Sequence, residues 1–282
     1  VAGTIVPNID INTSVSLSDL PDFLKEEGTA LEVKDLSIGY SHELAKVSFE
    51  IMQKERIAVI GPNGKGKSTL VKTIMDLVPA LGGEKMLGHQ IEIGYFDQDL
   101  AQFNTGNTVL EEVWNEYPDM TRSEVRTALG SFLFSGDDVF KTIDCLSGGE
   151  KVRLSLVKLM LKQPNFLIMD EPTNHLDLAG KEALEKSLHE YDGTMLFVSH
   201  DRYFINKLAT SILYIDENGA TFYRMSYQDY LDKNKQKVED KNVKVKKEQN
   251  NKQVKEEKKN INYSKEIKKL EKIIDQKEIE IE

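Results

Sequence analysis

The segment Gly61–Thr69 contains the residues that are best equipped for chemistry. Its sequence G-P-N-G-K-G-K-S-T fits the pattern G-x-x-x-x-G-K-S/T of a loop that wraps around phosphate groups. The backbone N–H groups of such a loop, together with the partial positive charge of a helix N-terminus, hold phosphate with little help from side chains. The pattern assigns Lys67 to the β- and γ-phosphates of a nucleotide and the Ser68 hydroxyl to Mg²⁺. The sequence therefore predicts a nucleotide-binding loop.

The residues on either side of this loop predict that it joins a strand to a helix. Arg56–Ile60 is a β-branched apolar run that is typical of a buried strand, and residues 69–78 have apolar side chains at helical spacing. Gly61, Gly64 and Gly66 permit positive φ angles and a close approach of the backbone to a ligand. The alternative is a chance glycine turn before a helix, and the flanking pattern argues against it.

Two carboxylates and one histidine follow predicted buried strands further along the chain. Asp170 and Glu171 end the apolar run that begins at residue 166, where an aspartate can reach Mg²⁺ beside a phosphate loop. The second carboxylate is placed to orient and deprotonate a water molecule. His200 follows the strand at 194–199, on the ligand side of an open α/β sheet. A purely structural histidine is the alternative, but two other strands also end in polar groups.

Three further features are weaker when taken alone. Ser147–Glu150 precedes a helix that is predicted to end near Leu161, and it forms a second possible anion-binding helix N-terminus. Gln98 lies at the polar end of a strand at 91–96. Tyr40 lies between strands at 31–36 and 47–51, and it could stack on a base or pack on an edge strand.

Length and composition indicate one large α/β domain with appendages. The chain has 282 residues, 39% of them hydrophobic, and no run approaches the roughly 20 apolar residues of a membrane helix. The single Cys145 excludes an intramolecular disulfide framework and suits a reducing cytosol, and we expect it to be buried. No signal peptide is recognisable at the start. Since the chain begins without Met and stops within a helical pattern, we expect a piece of a longer protein.

Charge is unevenly distributed along the sequence. Residues 233–272 contain 15 Lys and 7 acidic residues, although the whole chain has a net charge of −10. A basic extension on an acidic body leaves open an anionic partner at the tail, and a solvated helix face is the alternative. Apolar residues near the end have the spacing of a coiled-coil seam. They are Tyr263, Ile267, Leu270, Ile274 and Ile281.

The order of the motifs resembles that of an ATPase domain of the ABC type over residues 31–224. The motifs in order are the phosphate loop, Gln98, L-S-G-G-E at 146–150, F-L-I-M-D-E at 166–171, and His200. Within them, D-E-P-T-N-H-L-D at 170–177 and F-V-S-H-D-R-Y-F at 197–204 are similar to the ABC-F family. Members of that family are soluble proteins with two ATPase domains in one chain that act on the ribosome.

The resemblance implies an α/β fold for residues 31–225. We expect a mixed sheet core, an antiparallel β part and an inserted helical subdomain at about 99–162. Residues 1–30 would be a linker or tail. Residues 226–282 resemble the charged helical extension of some family members and would begin a coiled coil.

The resemblance also assigns roles to site residues. Glu171 would be the general base, His200 the γ-phosphate sensor, and Lys67 the contact to the β- and γ-phosphates. ATP would be bound by Tyr40, Gly61, Pro62, Asn63, Gly64, Lys65, Gly66, Lys67, Ser68 and Thr69. Mg²⁺ would be held by Ser68, Gln98 and Asp170. The residues that contact ATP bound to a partner domain would be Ser147, Gly148, Gly149 and Glu150. Lys65 stands where many members have a small or apolar residue, and we expect it to face solvent.

Three functions are compatible with these residues. The first is an ABC-F type translation factor in the cytoplasm, whose two ATPase domains close on ATP and gate binding to ribosomal RNA and tRNA, without membrane insertion. The second is the detached ATPase subunit of a membrane transporter, against which the N-H-L-D loop and the coiled-coil tail argue. The third is a non-catalytic nucleotide sensor, against which Glu171 and His200 argue.

Overall fold

The structure is a computed structural model, and it describes residues 28–97, 103 and 105–235. The described residues up to Tyr227 belong to one compact unit. Of the second unit, Gln228–Glu282, the structure describes residues 228–235, which are helical. The predicted coiled-coil seam and most of the predicted linker at 1–30 lie outside the described residues.

The compact unit is built from strands and helices that alternate along much of the chain. Its strands are β1 (Thr29–Gly39), β2 (Glu43–Met52), β3 (Arg56–Ile60), β4 (Gly82–Leu87), β5 (Ile93–Asp97), β6 (Phe166–Asp170), β7 (Thr194–Val198), β8 (Ser211–Asp216) and β9 (Gly219–Tyr223). Its helices are α1 (Lys67–Ile74), α2 (Val109–Glu116), α3 (Arg122–Ser131), α4 (Gly148–Leu161), α5 (Leu178–Glu190) and α6 (Arg202–Leu208). No described helix is both long and apolar enough to cross a membrane.

A six-stranded sheet in the order β5-β6-β7-β3-β8-β9 forms the centre of the unit. The first five strands in this order are parallel, and β9 pairs antiparallel with β8. Every residue of β6 and β7 is buried, which explains why their sequences are continuous apolar runs. Because parallel strands end at one edge, the residues that follow β3, β6 and β7 meet there.

A second sheet, antiparallel and in the order β2-β1-β4, shares the apolar core of the six-stranded sheet. Ile38 near the end of β1 packs against the phosphate loop, since a Cβ on Gly66 would lie 3.0 Å from Cδ1 of Ile38. The antiparallel sheet therefore supports the loop from one side. The expected combination of a mixed sheet and an antiparallel part is confirmed.

The helical region between β5 and β6 contains α2, α3 and α4, each of which begins with a capping box. Thr108, Thr121 and Ser147 accept the backbone N–H three residues on, and the glutamate at that position returns the bond. Two short 3₁₀ helices, Gly136–Phe140 and Ile143–Cys145, join α3 to α4. These caps are local sequence signals, because each of them joins residues only three positions apart.

Several expectations differ from the structure. Strand β4 was not predicted because most of its residues are exposed and polar, as is common in edge strands. Helix α6 was also missed, although Asp201 caps it through the N–H groups of Tyr203 and Phe204. Helix α1 ends at Ile74, four residues before the predicted end at 78.

The expectation of a buried Cys145 is wrong, because its side chain is exposed. Cys145 ends a 3₁₀ helix in which Ile143 is the buried residue, and the following Leu146 is buried as well. The thiol lies 3.2 Å from Oγ1 of Thr142. The tight 3₁₀ turn thus directs the aliphatic neighbours inward and the cysteine outward.

Candidate nucleotide-binding site

The phosphate loop joins β3 to α1 with the backbone geometry that its glycines permit. Gly66 caps α1 with φ of +94°, and Gly61 has φ of +149°. A Cβ on Gly61 would collide with the carbonyl oxygen of Ile215, so the close approach of β8 also requires glycine there. The first turn of α1 contains no acidic residue, which leaves its positive end available to an anion.

The loop opens into a cleft of about 490 Å³ at the edge where the parallel strands end. Most of the predicted phosphate-binding residues line this cleft together with the predicted base and sensor. The lining residues are Leu44, Asn63, Gly64, Gly66, Lys67, Ser68, Thr69, Glu171, Asn174, Val198 and His200.

The ammonium group of Lys67 crosses the phosphate loop. Its Nζ donates hydrogen bonds to the carbonyl oxygens of Gly61 and Pro62, at 3.0 and 3.1 Å. Burial lowers the pKa of Lys67, and the charges of Glu171 and Asp170 partly oppose that effect. The side chain is thus fixed along the loop with its charge directed into the cleft.

Ser68 and Asp170 meet at the base of the cleft although 102 positions separate them. The Ser68 hydroxyl donates to Oδ1 of Asp170 at 3.1 Å. Burial raises the pKa of Asp170, and the hydrogen bond from Ser68 counteracts this. A hydroxyl and a carboxylate oxygen at this separation are ligands that Mg²⁺ prefers, so the residues fit the predicted cation. Bound there, Mg²⁺ would neutralise phosphate charge.

Glu171 and His200 form a polar pair on the far side of the cleft. The backbone N–H of His200 donates to Oε2 of Glu171 at 3.3 Å, and Nε2 of His200 lies 3.4 Å from Oε1. Burial raises the pKa of Glu171, and the neighbouring His200 lowers it to a smaller extent. A carboxylate with a raised pKa is a better proton acceptor, which suits a general base acting on water.

The Ser147–Glu150 segment is not among the residues that line this cleft. Ser147 and Gly148 are exposed at the start of α4. The Ser147 hydroxyl accepts the N–H of Glu150 at 3.3 Å, while Oε2 of Glu150 accepts the N–H of Ser147 at 2.8 Å. The segment therefore presents a capped helix N-terminus to the surface.

Five other predicted site residues that the structure describes are not in the cleft lining, and they are Tyr40, Gly61, Pro62, Lys65 and Asp170. The Tyr40 ring is 65% exposed, which does not fit the alternative of a packed edge-strand residue. The Lys65 side chain is 38% exposed. Its Nζ lies 3.1 Å from a carboxylate oxygen of Glu217, which is in the turn between β8 and β9. Gln98 lies outside the described residues.

Leu44 and Asn174 line the cleft without having been assigned a ligand role from the sequence. Leu44 is in β2 and approaches the phosphate loop through tertiary packing, so no local signal identifies it. Asn174 follows Glu171 by three residues and its N–H donates to the Glu171 carbonyl at 3.2 Å. The sequence signal that could have identified Asn174 is its position only three residues after Glu171.

Comparison with known proteins agrees with this site. Residues 44–174 match the family model described as ABC transporter. YdiF of Bacillus subtilis (strain 168), whose name refers to ATP binding, is 49% identical over 77% of this chain and 35% of its own length. ABC transporter F family member 5 of Arabidopsis thaliana is 39% identical over 74% of this chain and 31% of its own. The chain thus spans about a third of these relatives.

The fold is also similar to that of a solved structure. A bacterial Atm1-family ABC exporter with ATP bound superposes with a TM-score of 0.63 at 20% identity, covering 73% of this chain and 40% of the exporter chain. At that identity the likeness concerns the fold. The phosphate loop, the oxygen atoms of Ser68 and Asp170, the buried Glu171 carboxylate and the family model agree with one another. The chain therefore contains an ATPase domain of the ABC type.

Proposed function

We propose that this domain is the second ATPase domain of an ABC-F type translation factor in the cytoplasm. The observation that carries the proposal is the 39% identity to two Arabidopsis thaliana proteins named as ABC transporter F family members. The D-E-P-T-N-H-L-D motif at 170–177 supports the same class. The parent protein would close on ATP, bind the ribosome at its RNA and tRNA, and open after hydrolysis.

Within this domain the polar groups at the cleft would have different roles. Lys67 and the loop N–H groups hold the phosphates, and Ser68 and Asp170 hold the cation together with Gln98. Glu171 accepts the proton of the attacking water, while His200 orients that carboxylate and senses the terminal phosphate. Burial of the Glu171 carboxylate supports this role, because it raises the pKa of the group.

Full activity would require a second ATPase domain. The exposed Ser147 and Gly148 and the partly buried Gly149 belong to a helix N-terminus that is not part of this domain's own cleft. A helix N-terminus with free glycine N–H groups is suited to an anion, so the segment would complete a site whose phosphates are bound by the partner domain. Asp177, which caps α5, would lie between the two sites.

The test is Glu171→Gln in the complete parent protein. Gln keeps the size of the side chain but accepts no proton, so ATP should bind, the two domains should close, and hydrolysis should not reopen them. We expect the variant to sediment with ribosomes through a sucrose cushion when ATP is present and to block translation.

The matched control is Glu171→Gln combined with Lys67→Ala, which should bind ATP poorly and stay out of the ribosome pellet. A Glu171→Gln parent that traps ATP but does not sediment with ribosomes would contradict the translation-factor assignment. That result would favour a transporter subunit and leave the ATPase chemistry intact.

A further inference from the structure

Lys72 and Asp97 form a second polar contact beside the contact between Ser68 and Asp170. The sheet edge where Ser68 and Asp170 meet is called the metal-binding edge below. Asp97 is the last residue of β5 and pairs in register with Asp170, the last residue of β6. Residues in register on neighbouring strands direct their side chains to the same face of a sheet. Only 12% of the Asp97 side chain is exposed. Two carboxylates are thus shielded from water beside each other.

Lys72 on α1 faces the Asp97 carboxylate. Its Nζ lies 3.3 Å from Oδ2 of Asp97, and the Tyr95 hydroxyl donates to the same oxygen at 2.9 Å. Lys72 follows Ser68 by four residues and therefore lies one turn further along the same face of the helix. The helix contacts β6 through Ser68 and β5 through Lys72.

These charges act on Asp170 in opposite directions. The Asp97 carboxylate repels the Asp170 carboxylate beside it, whereas the Lys72 ammonium attracts it. Removal of either member of a partly buried ion pair is unfavourable, because the remaining charge is left poorly solvated. The pair therefore controls how much negative charge accompanies Asp170.

We propose that Lys72 and Asp97 are positioning residues for the metal-binding edge, with the Lys72 ammonium compensating the Asp97 carboxylate so that a cation meets the charge of Asp170 alone. The proposal rests on the assignment of Ser68 and Asp170 to Mg²⁺ in the proposed function. A site with one effective carboxylate holds a divalent cation weakly by itself. The cation would accordingly arrive and leave with the nucleotide, whose phosphates supply the remaining negative charge.

The test measures Mn²⁺ binding to the nucleotide-free 282-residue chain, by the electron paramagnetic resonance signal of unbound Mn²⁺. Lys72→Met adds one effective negative charge near the site, so we expect Mn²⁺ to bind about tenfold more tightly. Asp97→Asn leaves the lysine charge in place, and we expect weaker binding by a similar factor. The double variant Lys72→Met, Asp97→Asn should return close to the original affinity.

Lys85→Met in β4 is the matched control at the C-terminal end of α1. Lys85 pairs with Asp76 at 2.9 Å and donates to the carbonyl oxygens of Thr73 and Ile74. Its replacement should therefore weaken the same helix without changing the charges at the metal-binding edge. We expect a lower melting temperature and unchanged Mn²⁺ affinity.

Two results would overturn the proposal. One is that Lys72→Met resembles Lys85→Met, with lower stability and unchanged Mn²⁺ affinity, which is the behaviour of a structural ion pair. The other applies if Lys72→Met does not fold: Asp97→Asn would then decide alone, and an unchanged Mn²⁺ affinity in that variant would refute the idea. Neither readout involves ribosomes, so failure here is distinguishable from failure of the translation-factor assignment.

Discussion

Glu171 combines a buried carboxylate with an unfavourable backbone conformation. Its φ is +49°, in the left-handed region that non-glycine residues rarely occupy. The backbone N–H donates to the Val198 carbonyl at 2.9 Å, which fixes the residue between the ends of β6 and β7. Such conformations cost about 1–3 kcal/mol and concentrate at functional sites. The fold thus accepts a local cost in order to direct this carboxylate into the cleft.

The stability of the nucleotide-free chain should depend on pH through Glu171. Burial raises the pKa of Glu171 in the folded state, so the folded chain holds this proton more tightly than the unfolded chain. The resulting gain in stability is complete below the unfolded pKa and is lost as pH rises through the folded pKa. We therefore expect Glu171→Gln to raise the melting temperature at pH 7 and to lose this advantage toward pH 4, measured by calorimetry.

Glu124→Gln provides a control of opposite sign. Hydrogen bonds from the backbone and hydroxyl of Thr121 lower the pKa of the exposed Glu124 carboxylate. Its contribution to stability is present above the unfolded pKa and is lost as pH falls through the folded pKa. Glu124→Gln should melt below the unmodified chain at pH 7 and approach it in acid. Equal pH profiles for the two variants would contradict the assigned environment of Glu171.

At the scale of elements, three helices begin with the same capping box but differ in what they present. Thr108 and Thr121 cap α2 and α3, and Ser147 caps α4. Only the Ser147 box of these three is followed by two glycines, whose bare N–H groups can approach an anion closely. Ser147 therefore has a structural task shared with the other two and a proposed catalytic one.

We expect Ser147→Ala and Thr121→Ala to destabilise the chain equally, by about 1 kcal/mol each, because each removes one helix cap. In the parent protein, Ser147→Ala should also slow ATP hydrolysis about tenfold or more, since a donor to the partner's phosphate is lost. Thr121→Ala should leave the hydrolysis rate unchanged. Urea denaturation and steady-state hydrolysis are the two measurements. A normal rate for Ser147→Ala would restrict Ser147 to helix capping.

At the scale of the whole molecule, the proposed function gives the domain two half-sites, which lie in different surroundings. The phosphate cleft is lined by loop residues and strand ends, whereas the exposed start of α4 is not part of that lining. One copy of this chain would therefore supply one half of each of two composite sites. The relatives are about three times as long as the region that they share with this chain, and under the proposed function a second ATPase domain would supply the other halves.

This arrangement predicts that the isolated chain hydrolyses ATP slowly and with a concentration dependence. Transient pairing of two copies would bring the α4 start of one to the cleft of the other, so the rate per domain should rise with protein concentration. The measurement is the hydrolysis rate per domain over a wide concentration range. A rate of about 1 per second that is independent of concentration would contradict the two-domain clamp.

The sequence by itself determined the elements whose signals are local. Strand β3 has the predicted bounds Arg56–Ile60, because a strand buried on both faces must be a continuous apolar run. The starts of α2, α3 and α4 also have local signals, because their cap residues bond three positions away. The residues of the phosphate loop were also evident, because backbone geometry there requires glycine at particular spacings.

Tertiary structure alone decided which distant side chains meet. Lys72 contacts Asp97, Lys65 contacts Glu217, and Leu44 reaches the cleft, although no local pattern links these residues. The edge strand β4 and the outward Cys145 likewise depend on what packs beside them rather than on propensity. The physical reason is that hydrogen-bonding and apolar periodicity act over a few residues, whereas strand order and helix packing set the contacts between elements.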